Sequence, residues 1–310
     1  MSDASDVRHQ GEAVPTHDAS PAGEEGAIPQ PPSPAPSPEA PGEEVARLMR
    51  RRSRRSFLVG GLSALVGVAG WRWLATRRAD HGIPWPLRRV LEVNEQLARD
   101  YFKASRLAPT FPRALAKEPR VNGTMGLSDM EEDAADWRLR VEGTAEAAVG
   151  SVGERSDDGA LLLTMADLRA LPRAEMVTEL KCIEGWSEVV HWAGARFADF
   201  AAAYPPATGT GSTADVNNRP DDLPEYVSLA TPDGEYYVGL DMASALHPQT
   251  LLCYEMNGAP LTPEHGAPLR LVLPVKYGIK NIKRIGKIRY THTRPADYWA
   301  ERGYDWYAGH

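Results

Sequence analysis

The chain has 310 residues, enough for one large domain or two modest ones. Its hydrophobic content of 42% and charged content of 25% are those of a globular protein, and a formal net charge of −7 argues against nucleic acid as a partner of the whole chain. Two cysteines, Cys182 and Cys253, exclude a disulfide framework.

Residues 1–49 are rich in Pro, Ala, Ser, Gly and Glu, as in Ile28-Pro29-Gln30-Pro31-Pro32-Ser33-Pro34-Ala35-Pro36. Such a stretch buries too little apolar surface to offset its ordering entropy, so a disordered tail is expected. Arg50-Arg51-Arg52-Ser53-Arg54-Arg55-Ser56-Phe57-Leu58 then leads into an uncharged apolar run from Phe57 to Trp71. A basic cluster before an apolar segment is a targeting or membrane signal, and Ser53-Arg54-Arg55-Ser56-Phe57-Leu58 resembles the twin-arginine export signal. The run of about 15 residues is short for a span and has to continue through Arg72 to Ala75 to cross a bilayer. Trp71 and Trp73 suit an interfacial belt. Gly67-Val68-Ala69 is a weak cleavage candidate. Residues 50–78 are therefore expected to be an export signal or a retained anchor, with the body periplasmic or tethered to the inner membrane facing the periplasm.

Residues 79–119 form a linker with a helical piece from Leu87 to Phe102, interrupted by Pro109, Pro112 and Pro119. The folded body is expected over 120–310. Trp137-Arg138-Leu139-Arg140-Val141-Glu142-Gly143 alternates as a half-buried strand does. Thr164 to Arg169 reads as a short N-capped helix, Val177 to Cys182 as a strand, and Arg196 to Tyr204 as a helix stopped by Pro205-Pro206. Gly209-Thr210-Gly211 lies in a polar loop with no strand before it and no third glycine, so it is not a dinucleotide site. Further strands are expected at Glu225–Ala230, Glu235–Leu240, Leu269–Pro274 and Ile285–Thr291. Leu251–Met256 and Ala259–Leu261 flank Asn257-Gly258, a type I′ hairpin signal. Many short strands with few short helices predict a mixed α+β, β-rich body rather than a doubly wound sheet.

The serine-hydrolase elbow, Cys-x-x-Cys, His-Glu-x-x-His and P-loop patterns are all absent. Cys182 stands after a strand-like run and before Gly185-Trp186-Ser187. It reads either as a packed core cysteine or as a thiolate held at a pocket, nucleophile or soft metal ligand. Cys253 sits mid-strand and reads as core; His191 and His247 read as structural. From Pro268 to Arg294 the chain carries Arg270, Lys276, Lys280, Lys283, Arg284, Lys287, Arg289 and Arg294 with no acidic residue. That stretch is either a solvated basic face or an anion site, with a glycine turn and ammoniums of the kind that hold phosphate. A thiolate, an anion site and a folded-export signal together point to a phosphate-bearing cofactor that offers a soft metal.

Lys181-Cys182-Ile183-Glu184-Gly185-Trp186-Ser187, Leu246-His247-Pro248, the block from Asn257-Gly258 to Pro274, and Lys276-Tyr277-Gly278-Ile279-Lys280-Asn281-Ile282-Lys283 resemble the sulfite oxidase superfamily of molybdenum-cofactor enzymes. The resemblance covers about Arg120 to Arg294. It implies the β-rich molybdopterin-binding α+β domain, with Cys182 as the single protein ligand to molybdenum. Thr231, His265, Arg270 and the Asn281-Ile282-Lys283 turn would hold the pterin and its phosphate, with Asn122 and Gly123 as a weaker match. Oxygen-atom transfer is implied on a small-molecule or protein-bound sulfur or nitrogen oxide, with electrons exchanged with a separate haem or cytochrome partner. No Cys-x-x-Cys-His haem attachment occurs in the chain itself.

Cys-Ile-Glu-Gly-Trp-Ser resembles the periplasmic branch that includes the methionine-sulfoxide reductase catalytic subunit. His265 departs from that branch, which has Asn there, and matches the sulfite oxidases, whose C-terminal dimerisation domain is expected to be absent. Sulfite oxidation is the alternative, and a non-catalytic exported anion-binding module the further alternative. Tyr204, Arg219 and Arg294 are weak candidates for a substrate mouth.

Overall fold

The computed structural model describes residues 42–80, 83–127, 136–145 and 154–310. Most of the expected tail, residues 1–41, lies outside them. The first helix, α1, runs Glu43–Ala75 and so begins within the stretch assigned to the tail. Val45–Ala75 is long and apolar enough to cross a membrane by length and composition, and its most apolar window is wholly exposed. The helix carries the run past Arg72 to Ala75, which resolves the shortfall seen in the sequence. Chain segments up to Val66 and from Gly67 onward form two separate units.

In the second unit, the two-residue strands β1 (Ala79–Asp80) and β2 (Ile83–Pro84) pair antiparallel and lead into helix α2 (Trp85–Tyr101). Pro86 in its first turn fits there because that N–H needs no intrahelical partner. The segment after α2 runs along the protein: Phe111 N–H donates to Val177 O and Lys117 N–H to Val189 O.

Next come β3 (Leu139–Glu142), β4 (Glu154–Arg155), β5 (Leu161–Leu163) and the short helix α3 (Met165–Arg169). Thr164 and Asp167 form a reciprocal capping box that starts α3 where the sequence puts it. Then follow β6 (Arg173–Lys181), β7 (Ser187–Arg196), α4 (Phe197–Ala203), β8 (Tyr226–Ala230), β9 (Tyr237–Asp241) and α5 (Met242–Ala245). The last strands are β10 (Leu251–Met256), β11 (Ala259–Pro260), β12 (Arg270–Val272) and β13 (Lys287–Thr291). Asn257 at φ 53° and Gly258 at φ 85° give the type I′ turn between β10 and β11.

Two sheets result. One has the order β11-β10-β7-β6, with β12 also on β10. The other has the order β4-β5-β3-β13-β8-β9, in which β3 and β13 are parallel. The main core is built from Leu139, Val141, Leu161, Phe197, Phe200, Leu229, Leu240, Leu271 and Ile288. A second cluster joins Val190, Trp192, Leu251, Cys253 and Val272. Cys253 is fully buried, as read, and burial pushes its thiol up to about 12.

Strand β7 escaped the sequence reading. Val190 to Ala195 is buried on both faces, so no polar alternation marks it, and Ala193-Gly194-Ala195 carries little β propensity. Gly194 is required by close approach: a Cβ there would lie 2.1 Å from Leu252 O on β10. Gly194→Ala is expected to destabilise the fold by about 3 kcal/mol, because the obstacle is backbone in a packed sheet. Urea unfolding checks it; an unchanged midpoint would refute the close approach.

Candidate functional site

The β6–β7 hairpin pairs from Arg173↔Ala195 to Lys181↔Ser187 and carries Cys182 in its end turn. The Cys182 amide donates to Trp186 O at 2.9 Å and the Gly185 amide to Cys182 O at 3.2 Å. Gly185 sits at φ 88°, a conformation an L side chain resists. Cys182 is half-buried and lines a cavity of about 360 Å³. Burial is the main influence on its thiol and raises it; the Glu184 amide opposes this and the Glu184 carboxylate adds to it. Asn122 Nδ2 lies 3.5 Å from the sulfur and 3.4 Å from Glu184 Oε2.

The opposite wall comes from the turn before β12 and the turn after it. His265, Arg270, Asn281 and Lys283 line the same cavity. Gly266, at φ 95°, lets these two turns touch: a Cβ there would lie 2.7 Å from Lys283 Cβ. Arg270 is 3% exposed and gives Nη1 to His265 O and Nη2 to Asn281 O. Its Nε has no hydrogen-bond partner. Burial pulls this guanidinium down to about 10. His265 Nε2 is buried with no hydrogen bond, its nearest carboxylate being Glu118 at 3.5 Å. Burial, then Arg270 and Lys283, lower its pKa, so the ring is neutral at pH 7.

Lys283 Nζ donates to Asn122 O at 2.7 Å and Gly123 O at 3.3 Å, tying the 122–123 segment across the cavity. Burial and Arg270 lower Lys283 to about 8, against 10.5 ordinarily. Between those two values the unfolded chain keeps a proton that folded Lys283 has released, so stability rises with pH across that window. In the cofactor-free protein, Lys283→Met is expected to reduce the rise between pH 8 and 10.5, measured by urea unfolding at stepped pH. An unchanged slope would contradict the lowered value.

Asn122, Gly123, Cys182, His265, Arg270, Asn281 and Lys283 thus converge on one cavity. Asn281 also braces the wall, accepting from Leu273 N–H at 2.7 Å. Thr231 and Ile282 do not line it. The Thr231 hydroxyl donates to Asp233, and its side chain fills the space a Cβ on Gly126 would need. Ile282 is core, and its carbonyl accepts from Leu271 N–H.

The basic stretch is not one anion site. Lys276 and Lys280 are buried away from the cavity, beside Asp241 and against Asp297. Lys287 and Arg289 pair with Glu142, and Arg294 with Glu95. Arg219 is an exposed partner of Asp222 and Tyr204 is core, so none of the three mouth candidates lines the cavity. An aromatic rim of Trp186, Tyr236, Trp299 and Tyr304 was not foreseen. Tyr236 is fixed by its hydroxyl donating to Ile279 O at 2.6 Å. Trp186 belongs to the Cys182 turn motif, but no local motif marks Tyr236, Trp299 or Tyr304, which strands and turns far apart in sequence bring to it.

Among the described residues no three His, Cys, Asp or Glu side chains gather to hold a metal ion. A metal at Cys182 would take its other ligands from a bound group. Arg270 Nε and His265 Nε2, buried and unpartnered on the same cavity, are what an anionic group with ring acceptors would complete. The residues present fit molybdenum-molybdopterin. A single soft sulfur ligand facing Arg270 and Lys283 across one cavity suits a metal carried by an anionic cofactor.

The family model for the oxidoreductase molybdopterin binding domain matches residues 126–299. A putative protein-methionine-sulfoxide reductase subunit, YedZ1, from Azospira oryzae is 32% identical over 274 residues, 86% of this chain and 92% of that one. The protein-methionine-sulfoxide reductase catalytic subunit MsrP of Campylobacter jejuni is 34% identical over 268 residues, 83% of this chain and 80% of its own. The chain belongs to the molybdopterin-binding oxidoreductases of the sulfite oxidase superfamily. It is a molybdopterin oxidoreductase, on the methionine-sulfoxide reductase side of that superfamily, and its cofactor is molybdenum-molybdopterin. The alternative of a non-catalytic anion-binding module falls with this membership.

Proposed function

We propose that the protein reduces a sulfoxide, free or on a protein side chain, and works outside the cytoplasm while tethered by α1. The observation that carries this reading is the position of Cys182, half-buried in a cavity also lined by Trp186, Trp299 and Tyr304, with exposed Asn122 and Glu184 beside it. Exposure of Asn122 and Glu184 beside the sulfur supports a side-chain oxide as substrate over a small anion alone. The names of the relatives, which speak of methionine sulfoxide, support the same class. The Arg50 to Arg55 cluster within α1 and the apolar run that follows it in the same helix support twin-arginine export with α1 retained.

In the net reaction one S–O bond breaks, and two protons and two electrons convert the oxygen to water and leave a sulfide. The electrons come singly from a separate haem protein. Bound molybdenum-molybdopterin supplies two-electron oxygen-atom transfer. The chain supplies the rest. Cys182 provides a thiolate that metal binding keeps deprotonated. Arg270 and Lys283 would neutralise the bound anion, and Trp186, Trp299 and Tyr304 give the cavity an apolar wall. Sulfite oxidation is the second reading, favoured by His265, the residue type sulfite oxidases carry there. Assaying methionine sulfoxide against sulfite on protein matured in a molybdopterin-competent host separates the two. Turnover of sulfite alone would overturn the proposal.

A further inference from the structure

Helix α2 is amphipathic the wrong way round for a helix on a water-soluble body. Val90, Val93, Leu97 and Tyr101 recur at helical spacing on one face and are 60–63% exposed. Leu87, on the edge of the same stripe, is 42% exposed. Arg88, Glu95 and Arg99 turn inward instead, while Arg89, Glu92 and Asp100 stay exposed on the flank. Glu95 is 8% exposed and accepts from Arg99 at 2.9 Å and from Arg294 at 2.6 Å. Arg88 donates to Ala300 O at 3.1 Å, and the Arg99 guanidinium lies 5.0 Å from the Tyr307 ring centroid. The helix is thus held to the body by ion pairs and cation–π contacts, and a mainly apolar stripe, interrupted by Asn94, faces outward.

We propose that this stripe lies in the lipid interface of the membrane that α1 spans, with the axis of α2 along the surface. The inference rests on the reading of α1 as a retained anchor. Chain continuity argues for lipid. The nine residues between Ala75 and Trp85 reach at most about 30 Å, and the β1–β2 pairing shortens that. A helix so placed cannot leave the neighbourhood of the bilayer. Composition argues the same way. Exposed Arg77 and Arg78 precede α2, and exposed Lys103 and Arg106 follow it, where they meet anionic headgroups. Trp85, 46% exposed at the start of α2, joins Trp71 and Trp73 as a ring suited to that depth.

The test uses the full-length chain in vesicles of phosphatidylethanolamine and phosphatidylglycerol. A diazirine-bearing residue is placed in turn at Leu65 in α1, at Leu97 in the stripe, and at exposed Gln96 off the stripe, then photolysed. The expected result is lipid adducts at Leu65 and Leu97, with Leu97 several-fold above Gln96. Adducts at Leu65 with Leu97 no higher than Gln96 would sink the docking and leave the anchor standing. Adducts from Leu97 to a second protein chain would also overturn it and assign the stripe to self-association. No lipid adduct at Leu65 would remove the anchor, and the docking with it.

Discussion

Cys182→Ala is expected to abolish turnover and strip molybdenum while leaving the fold intact. The thiol belongs to a hairpin turn closed by backbone bonds, not to either core cluster, so its loss removes no packing. Substituting a residue that merely orients a metal ligand typically lowers affinity or activity about 10–100-fold; losing the one protein ligand exceeds that. Activity should therefore fall by more than about 100-fold, and metal per protein with it. The chemical-unfolding midpoint of the cofactor-free variant should match that of the cofactor-free parent. A variant that kept both molybdenum and full turnover would end the mechanism proposed above.

Arg270 gives the second large effect, and it separates cofactor binding from folding. Its guanidinium is buried with Nε unpartnered and lies 4.9 Å over the Trp192 ring. Removing one member of a buried charge pair costs about 3–5 kcal/mol, so Arg270→Met should weaken cofactor retention by about 100- to 4000-fold. The cofactor-free protein should respond differently. There the substitution removes a buried cation with no acidic partner among the described residues, and loses two hydrogen bonds to carbonyls and the contact with the Trp192 ring. Its stability should change by no more than about 1–2 kcal/mol. Thermal melts of loaded and cofactor-free protein, parent and variant, read this directly: the gap on loading shrinks. An equal drop in both forms would make Arg270 a structural residue only.

Much of the frame was legible because local rules act alone in it. Thr164 and Asp167 cap α3, Asn257-Gly258 turns β10 into β11, and polar alternation marks β3. Cys182 was legible because a cysteine before a glycine turn is a distinctive local object. What failed to show has a physical reason in each case. Strand β7 is buried on both faces and loses its period. The basic stretch looked continuous because sequence cannot tell that Lys280 faces Asp297 and Arg289 faces Glu142, partners supplied by distant segments. Trp299 and Tyr304 reach the cavity only through the tertiary fold. The inward charges of α2 were likewise hidden, since Leu87–Phe102 as a pattern says which residues share a face but not which way that face turns.

The long β6–β7 hairpin also decides which length changes the chain can absorb. Successive strand residues point to opposite sides, so a single inserted or deleted residue in either strand would reverse every side chain beyond it. The turn bearing Cys182 would then meet the wrong wall, far from Arg270 and Lys283. The exposed loop around Gly209-Thr210-Gly211 has no such constraint, and insertions there should leave metal content unchanged. The position of Cys182, and with it of any metal it holds, is therefore encoded as a residue count along two paired strands.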